Sequence, residues 1–338
     1  MRAPIIHPSA WRRADLERDQ SWIFRLEVAD VEAIDAAFRT VQKRGLIWGE
    51  FGKEDFPLDA FGETLRQVDE EIRDGRGLAL IRGFPVDAYD LEDLKTIYWG
   101  IGCHLGTILS NNTAGEFVSA VTDAGTTIPE LNRRNNTTNR ELYPHTDPSD
   151  IVSLLCINRA ERGGMSSLTS SMTVYNEILA NHPEYVDVLH KGFPRDDRGL
   201  GPDRDPDAVS PAIPIYDDFE GNLSAFFSRG LLLDGARKAG IALSEVECAT
   251  IDIVHDYALR DDLRIDMMLE RGDIQLINNY RMFHARTEYV DPQDGPKRYL
   301  LRMWINIPDG TQLSPDFARY VRRGILPAVS TRLAHQSN

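Results

Sequence analysis

Helical periodicity in this chain is concentrated in its first hundred residues, and short strand-like runs closed by turns fill most of the remainder. Val31, Ile34, Ala37, Phe38 and Val41 recur at a spacing of three or four, as do Phe61, Leu65, Val68 and Ile72. Helices are therefore predicted over 30–43 and 58–74. A third is predicted from Leu91 to Cys103. Asp30 and Asp90 stand where an N-cap belongs, and Gly45 and Gly102 where helices stop. Gly77 and Gly83 enclose the apolar run Leu78-Ala79-Leu80-Ile81, which reads as a buried strand. Further strands are predicted at 116–123, 151–157, 165–169, 264–269, 273–278 and 298–307. A hairpin is expected to join 212–216 to 224–228 through Glu220-Gly221-Asn222. Short helices fill 172–180, 183–190 and 243–259. Strand and helix do not alternate, and no Gly-rich phosphate loop is present, so a parallel nucleotide-binding sheet is not expected. The expected fold is α+β with a mainly β core, a sandwich flanked by helices. Without repeats or linkers, it forms a single domain over 1–338.

At 338 residues and 42% hydrophobic, the chain can bury a large core. Its formal charge of −15, from 53 acidic against 38 basic residues, argues against a nucleic-acid partner, which needs a basic face. Cys103, Cys156 and Cys248 are far apart, odd in number and match no metal spacing. They read as free thiols in a reducing compartment. No apolar run opens the chain, and none reaches the roughly eighteen residues of a membrane span. The expected partner is a small molecule, with no nucleic acid and no membrane, in a cytoplasmic protein. The sequence leaves homo-oligomers open.

One stretch carries chemistry: Tyr143-Pro144-His145-Thr146-Asp147-Pro148-Ser149-Asp150. In an extended segment His145 and Asp147, two apart, project to the same side. With His284, which follows the 273–278 strand, they make a two-histidine, one-carboxylate set. Such a set suits Fe(II) and leaves positions open for other ligands. Asp150 has the wrong spacing to join them. Arg298 and Arg302 follow on one face of the last strand, and planar guanidiniums fit a dicarboxylate. The polar segment 126–141 and the Gly/Pro/Asp segment 196–207 are long enough to be lids. Asn111, Asn112 and Arg286 are candidates for contact with substrate, and Arg229 is a further open case. Two alternatives use the same triad: a cupin-type Zn or Mn enzyme, and a non-catalytic jelly-roll binding protein. The paired arginines argue against the first and the intact triad against the second.

The chain resembles the TauD/TfdA family of Fe(II)- and 2-oxoglutarate-dependent oxygenases, of the clavaminate synthase-like superfamily. The resemblance covers roughly 77–310 and leaves 1–76 as an N-terminal helical flank. It is carried by Pro144-His145-Thr146-Asp147, by Gly163-Gly164-Met165-Ser166-Ser167, by Gly272-Asp273-Ile274-Gln275 leading to His284, and by Arg298 to Trp304. It implies a double-stranded β-helix, or jelly roll, with His145, Asp147 and His284 as iron ligands. Arg298 falls on the distal carboxylate of 2-oxoglutarate and Arg302 near the proximal one. Ser166 falls where relatives carry a threonine that also bonds the co-substrate. The resemblance further implies an enzyme that couples O2 and 2-oxoglutarate, released as succinate and CO2, to oxidation of a substrate. Hydroxylation of a small organic acid or amino-acid-like molecule is the expected outcome.

Overall fold

The computed structural model describes residues 2–123, 138–200 and 205–325. Two β-sheets face each other across an apolar core. The larger has seven strands, in the order Ile23–Arg25, Leu78–Arg82, Ile274–Asn278, Ile151–Asn158, Tyr299–Asn306 and Thr107–Leu109, with Val118–Val121 also paired to Tyr299–Asn306. Its first pair is parallel and the others are antiparallel. The smaller sheet is antiparallel, in the order Arg264–Met267, Ser166–Ser170, Met282–Arg286 and Leu142–His145. Together they make the two-sheet core of a jelly roll, with helices on both outer faces.

Strand alternation sorts the side chains. In Tyr299–Asn306, Leu301, Met303 and Ile305 pack outward against Ile34, Phe38, Phe61, Leu65, Ile97 and Ile101. Those residues come from helices Val28–Lys43, Asp59–Arg73 and Leu91–Leu105. Leu300 and Trp304 point inward, into a cluster with Val152, Leu168, Ile277 and Met282 drawn from both sheets. Arg302 lies between them in sequence and shares the inward face. In the smaller sheet Phe283 packs outward with Val174, Ile178, Leu232, Ile251 and Val254. Met282, His284 and Arg286 therefore face inward. Both faces of the large sheet are covered, which is why its strands are near-continuous apolar runs. Each buried Leu, Ile or Phe contributes about 1.5–3 kcal/mol.

Several boundaries differ from expectation. The first long helix begins at Val28, and Asp30 sits in its first turn, where its carboxylate accepts from the Glu27 N–H at 2.9 Å and from Thr64 Oγ1 at 3.1 Å. Asp90 does cap Leu91–Leu105, but that helix runs past Gly102 and stops at Gly106. The turn at Glu220-Gly221 forms with φ of +51° and +81°, yet the hairpin around it pairs Tyr216–Phe219 with Asn222–Ala225. Ile213–Pro214 leaves to pair with Gly192–Phe193, and the chain beyond Ala225 reaches a bridge between Ser228 and His145. Of the two expected lids, 126–137 and 201–204 lie outside the described residues.

A half-buried ion pair ties two strands of the large sheet. Asp273 accepts from Arg82 Nε at 2.9 Å, from Arg82 Nη2 at 2.7 Å and from the Glu270 N–H at 2.9 Å. Beside it, Gly272 sits at φ +83° with Phe84 O only 2.0 Å from where a Cβ would stand, so no other residue fits. Asp273→Ala strands the Arg82 guanidinium and uncaps the turn. Urea unfolding should show a loss of about 2–3 kcal/mol, below the figure for a fully buried pair because Arg82 is partly exposed. A loss under about 0.5 kcal/mol would show that the pair does not hold the sheet.

Candidate metal centre and its two cavities

His145 ends the outermost strand of the smaller sheet, and His284 lies directly opposite it in Met282–Arg286. The ring centroids are 4.2 Å apart. Asp147 follows in the next loop, with Oδ1 3.9 Å from His145 Nε2 and Oδ2 3.5 Å from His284 Nε2. One donor atom from each residue lies within 4.8 Å of the others, a set able to hold one ion.

Neighbouring groups fix this geometry. Tyr143 O accepts from His145 Nδ1 at 2.9 Å, which places the proton there and leaves the Nε2 lone pair directed at the cluster. Asn279 Oδ1 accepts from the Asp147 N–H at 3.0 Å, while its Nδ2 donates to the carbonyls of Asp147 and Ser149. Trp304 Nε1 donates to Asp147 Oδ2 at 3.0 Å. Thr146 and Phe227 exchange hydrogen bonds in both directions and close the loop. Asp150 turns away to Tyr280, Arg322 and the Ile307 N–H, as its spacing required.

Burial pushes the His145 imidazole down to about 4, helped by the adjacent His284, so the ring is neutral at physiological pH. Burial alone would raise the Asp147 carboxyl. The hydrogen bond with His284 and the Arg302 guanidinium, 3.9 Å away, instead hold it well below the usual carboxylate range. A neutral imidazole beside an ionised carboxylate is what a divalent metal requires.

Two cavities meet at the triad. The inner one, about 60 Å³, is walled by Ser166, Gln275, Arg286, Arg298 and Arg302. Burial lowers all three guanidiniums, Arg286 to about 10. Each keeps buried N–H groups without a partner among the described residues: Nε and Nη1 of Arg286, Nη1 of Arg298 and Nε of Arg302. Among the described residues Asp147 is the sole carboxylate in the lining, so this cavity suits an anion. The outer cavity, about 510 Å³, opens on His145 and Asp147 between Tyr143, Phe226, Arg229, His255, Trp304 and Tyr320.

Arg298 and Arg302 both reach the inner cavity, despite a register shift between Tyr299 and Leu300. Ser166 lines it as well, with its hydroxyl donating to Gln275 Oε1 at 2.9 Å. Arg286, expected against substrate, belongs to the inner cavity instead. Asn111 and Asn112 line neither cavity. Asn111 is fully buried and donates to Phe117 O at 2.9 Å and Arg302 O at 3.2 Å, so backbone carbonyls have claimed its amide. Asn112 accepts from the N–H groups of Ala114 and Glu116 within its own turn. Trp304, Asn279 and Gln275 were not foreseen. Only the two-residue spacing of Trp304 from Arg302 could have marked it.

The profile of the family described as "Taurine catabolism dioxygenase TauD, TfdA family" matches residues 41–304. The chain belongs to the TauD/TfdA family. FR-33289 synthase of Streptomyces rubellomurinus is 33% identical over 326 residues, 95% of each chain. A taurine hydroxylase-like protein of Stachybotrys chartarum is 26% identical and spans 87% of this chain and 77% of its own. Among solved structures, an asparagine oxygenase in complex with Fe(II), 2S,3S-3-hydroxyasparagine and succinate has a TM-score of 0.65 at 14% identity. That match covers 84% of this chain and 93% of the other, and bears on the fold. This TauD/TfdA protein is therefore an Fe(II)- and 2-oxoglutarate-dependent oxygenase. The readings as a cupin-type Zn or Mn enzyme and as a non-catalytic binding protein fall away.

Proposed function

We propose that this TauD/TfdA enzyme hydroxylates a small organic acid held in the outer cavity, with iron on His145, Asp147 and His284 and 2-oxoglutarate in the inner cavity. The observation that carries the proposal is the meeting of the two cavities at His145 and Asp147, one walled by three buried guanidiniums that each keep an N–H group without an acceptor among the described residues, the other open outward. Iron supplies activation of O2, which together with conversion of 2-oxoglutarate to succinate and CO2 oxidises the substrate. The chain's own residues bind and orient. Arg298 pairs with the distal carboxylate and Arg302 lies near the proximal one, where its charge also balances Asp147. Away from water these pairings are stronger and more directional.

An acidic substrate fits the outer wall. Its two carboxylates remote from the triad, Asp196 and Asp197, are already paired with Lys238 and Arg323 at 2.7 Å each. Arg229 opens helix Arg229–Lys238 with its Nε paired to Asp252 Oδ1 at 2.8 Å, which leaves its Nη groups for a ligand, and Gly230 and Leu231 of the same first turn line the cavity. A helix start beside a guanidinium favours an anion. The hydroxyasparagine bound to the asparagine oxygenase supports an amino-acid-like molecule. The test is succinate release with Fe(II), ascorbate and 2-oxoglutarate over amino acids, sulfonates and phenoxy acids, each beside its neutral amide or ester. Neutral analogues that couple as well as the acids would overturn the reading.

The same reading takes residues 1–338 as one domain, supported by the core that the N-terminal helices share with the large sheet. No helix among the described residues is long and apolar enough to cross a membrane. Trp304 holds the carboxylate of the metal set. Trp304→Phe keeps a ring beside Arg302, now 4.6 Å from its guanidinium, and removes the N–H from Asp147 Oδ2. Fe(II) affinity should fall about tenfold, the low end for a group that orients a metal ligand, because Asn279 still pins the loop. Unaltered affinity would make the bond incidental.

A further inference from the structure

The inner cavity holds one guanidinium more than the two arginines assigned to the co-substrate. Arg286 is 6% exposed and Arg298 is 5% exposed. Their guanidinium carbons lie 4.9 Å and 5.0 Å from the centre of the same Tyr289 ring. Two like charges gathered on one ring, in an interior poor in water, repel each other, and the ring's negative face, with the carboxylates of Asp123 near Arg286 and Asp291 near Arg298, offsets only part of this. An anion between them removes the conflict. Arg286 is already placed for that task, because its Nη2 donates to the carbonyls of Thr138 and Arg140. Its Nε and Nη1 remain buried and, among the described residues, without a partner.

Register adds a second argument. Arg286 lies two residues beyond His284 on the same inward face, an advance of about 6.6 Å along a strand. That step is comparable with the span of a five-carbon diacid whose head lies at the metal. Ser166 is the residue directly paired with Arg286. Its hydroxyl hydrogen is committed to Gln275 Oε1, so Ser166 offers the cavity lone pairs rather than a donor. The second donor must come from elsewhere on that wall.

We propose that Arg286 is a further co-substrate-binding residue, which shares the distal carboxylate of 2-oxoglutarate with Arg298 and sets the enzyme's preference for a 2-oxo diacid. The proposal rests on the assignment of the inner cavity to 2-oxoglutarate. It is tested by anaerobic calorimetric titration of the Fe(II)-loaded full chain with 2-oxoglutarate and with 2-oxopentanoate, which ends in a methyl where the diacid has its distal carboxylate. Wild type should bind 2-oxoglutarate at least about 100-fold more tightly. Arg286→Gln should weaken 2-oxoglutarate about 10- to 30-fold and leave 2-oxopentanoate within about twofold. Arg286→Lys keeps the charge without the fork and should show a smaller loss, about 3- to 10-fold. Equal weakening of both acids would overturn the proposal and make Arg286 a strut for the Thr138 and Arg140 carbonyls. No change in either acid would also overturn it. Should the Gln variant fail to fold, an unaltered preference in the Lys variant overturns it instead. A wild type that binds both acids alike would overturn the cavity assignment itself, an outcome distinct from failure at Arg286.

Discussion

Asp147→Ala is expected to abolish 2-oxoglutarate-coupled turnover, by about three orders of magnitude or more, while the metal-free protein keeps its fold. The carboxylate supplies one of three donor atoms within 4.8 Å and the sole negative charge lining the inner cavity among the described residues. Without it, two imidazoles face an Arg302 guanidinium that no longer has a carboxylate 3.9 Å away. A divalent cation would then meet net repulsion where it had met attraction. The loop itself stays in place, since Asn279 and Phe227 grip backbone atoms and Thr146 rather than the lost side chain. The stability cost comes from the lost hydrogen bond of Trp304 and from the Arg302 guanidinium left without its carboxylate, together about 1–3 kcal/mol. Iron titration and succinate release, each beside a thermal melt, check both halves. More than about a tenth of wild-type turnover in this variant would remove Asp147 from the metal set.

Arg298→Gln should raise KM for 2-oxoglutarate about 100-fold and leave kcat at saturating co-substrate within about threefold. On the proposed reading Arg298 makes its contact at the end of the diacid remote from the reacting carbons, so the lost binding would be common to ground and transition states. Its Nη1 is buried without a partner among the described residues, so a carboxylate there gains a hydrogen bond that nothing else supplies. Arg286, in the same cavity, keeps the loss from being complete. A collapse of kcat with KM unmoved would mean that Arg298 acts on the chemistry rather than on binding.

Chemistry in this chain is easier to read from sequence than proximity. His145, Asp147, His284, Arg298 and Arg302 have side chains whose types and spacing announce a metal and a diacid, and the structure brings all five to one place. Trp304, Asn279 and Gln275 carry no such mark, because their contacts depend on which strand faces which, and one sequence holds no signature of cross-sheet register. Asn111 shows the converse difficulty: an amide near a turn is claimed by backbone carbonyls as readily as by a ligand. The strands of the large sheet are legible because burial on both faces makes them apolar runs. Leu142–His145 is only four residues long, and Met282–Arg286 turns His284 and Arg286 inward, so neither shows the alternation of a half-buried strand. Neither is among the predicted strands, although they hold the two histidines. The hairpin at Glu220-Gly221 has the right turn chemistry, but Pro214 has no N–H to extend its ladder and its arm departs to Gly192–Phe193.

Leu142–His145 is the outermost strand of its sheet, and beyond its one ladder partner it is touched by a bridge from Ser228 to His145. Strands with so few neighbours are the first to fray. The ion proposed here would stitch that margin to the strand beside it through His284 and to the following loop through Asp147. The residues being stitched are also the floor of the outer cavity. Loading of the metal and sealing of the seam beneath the substrate would then be a single event, and the ion a fastening as well as a reagent.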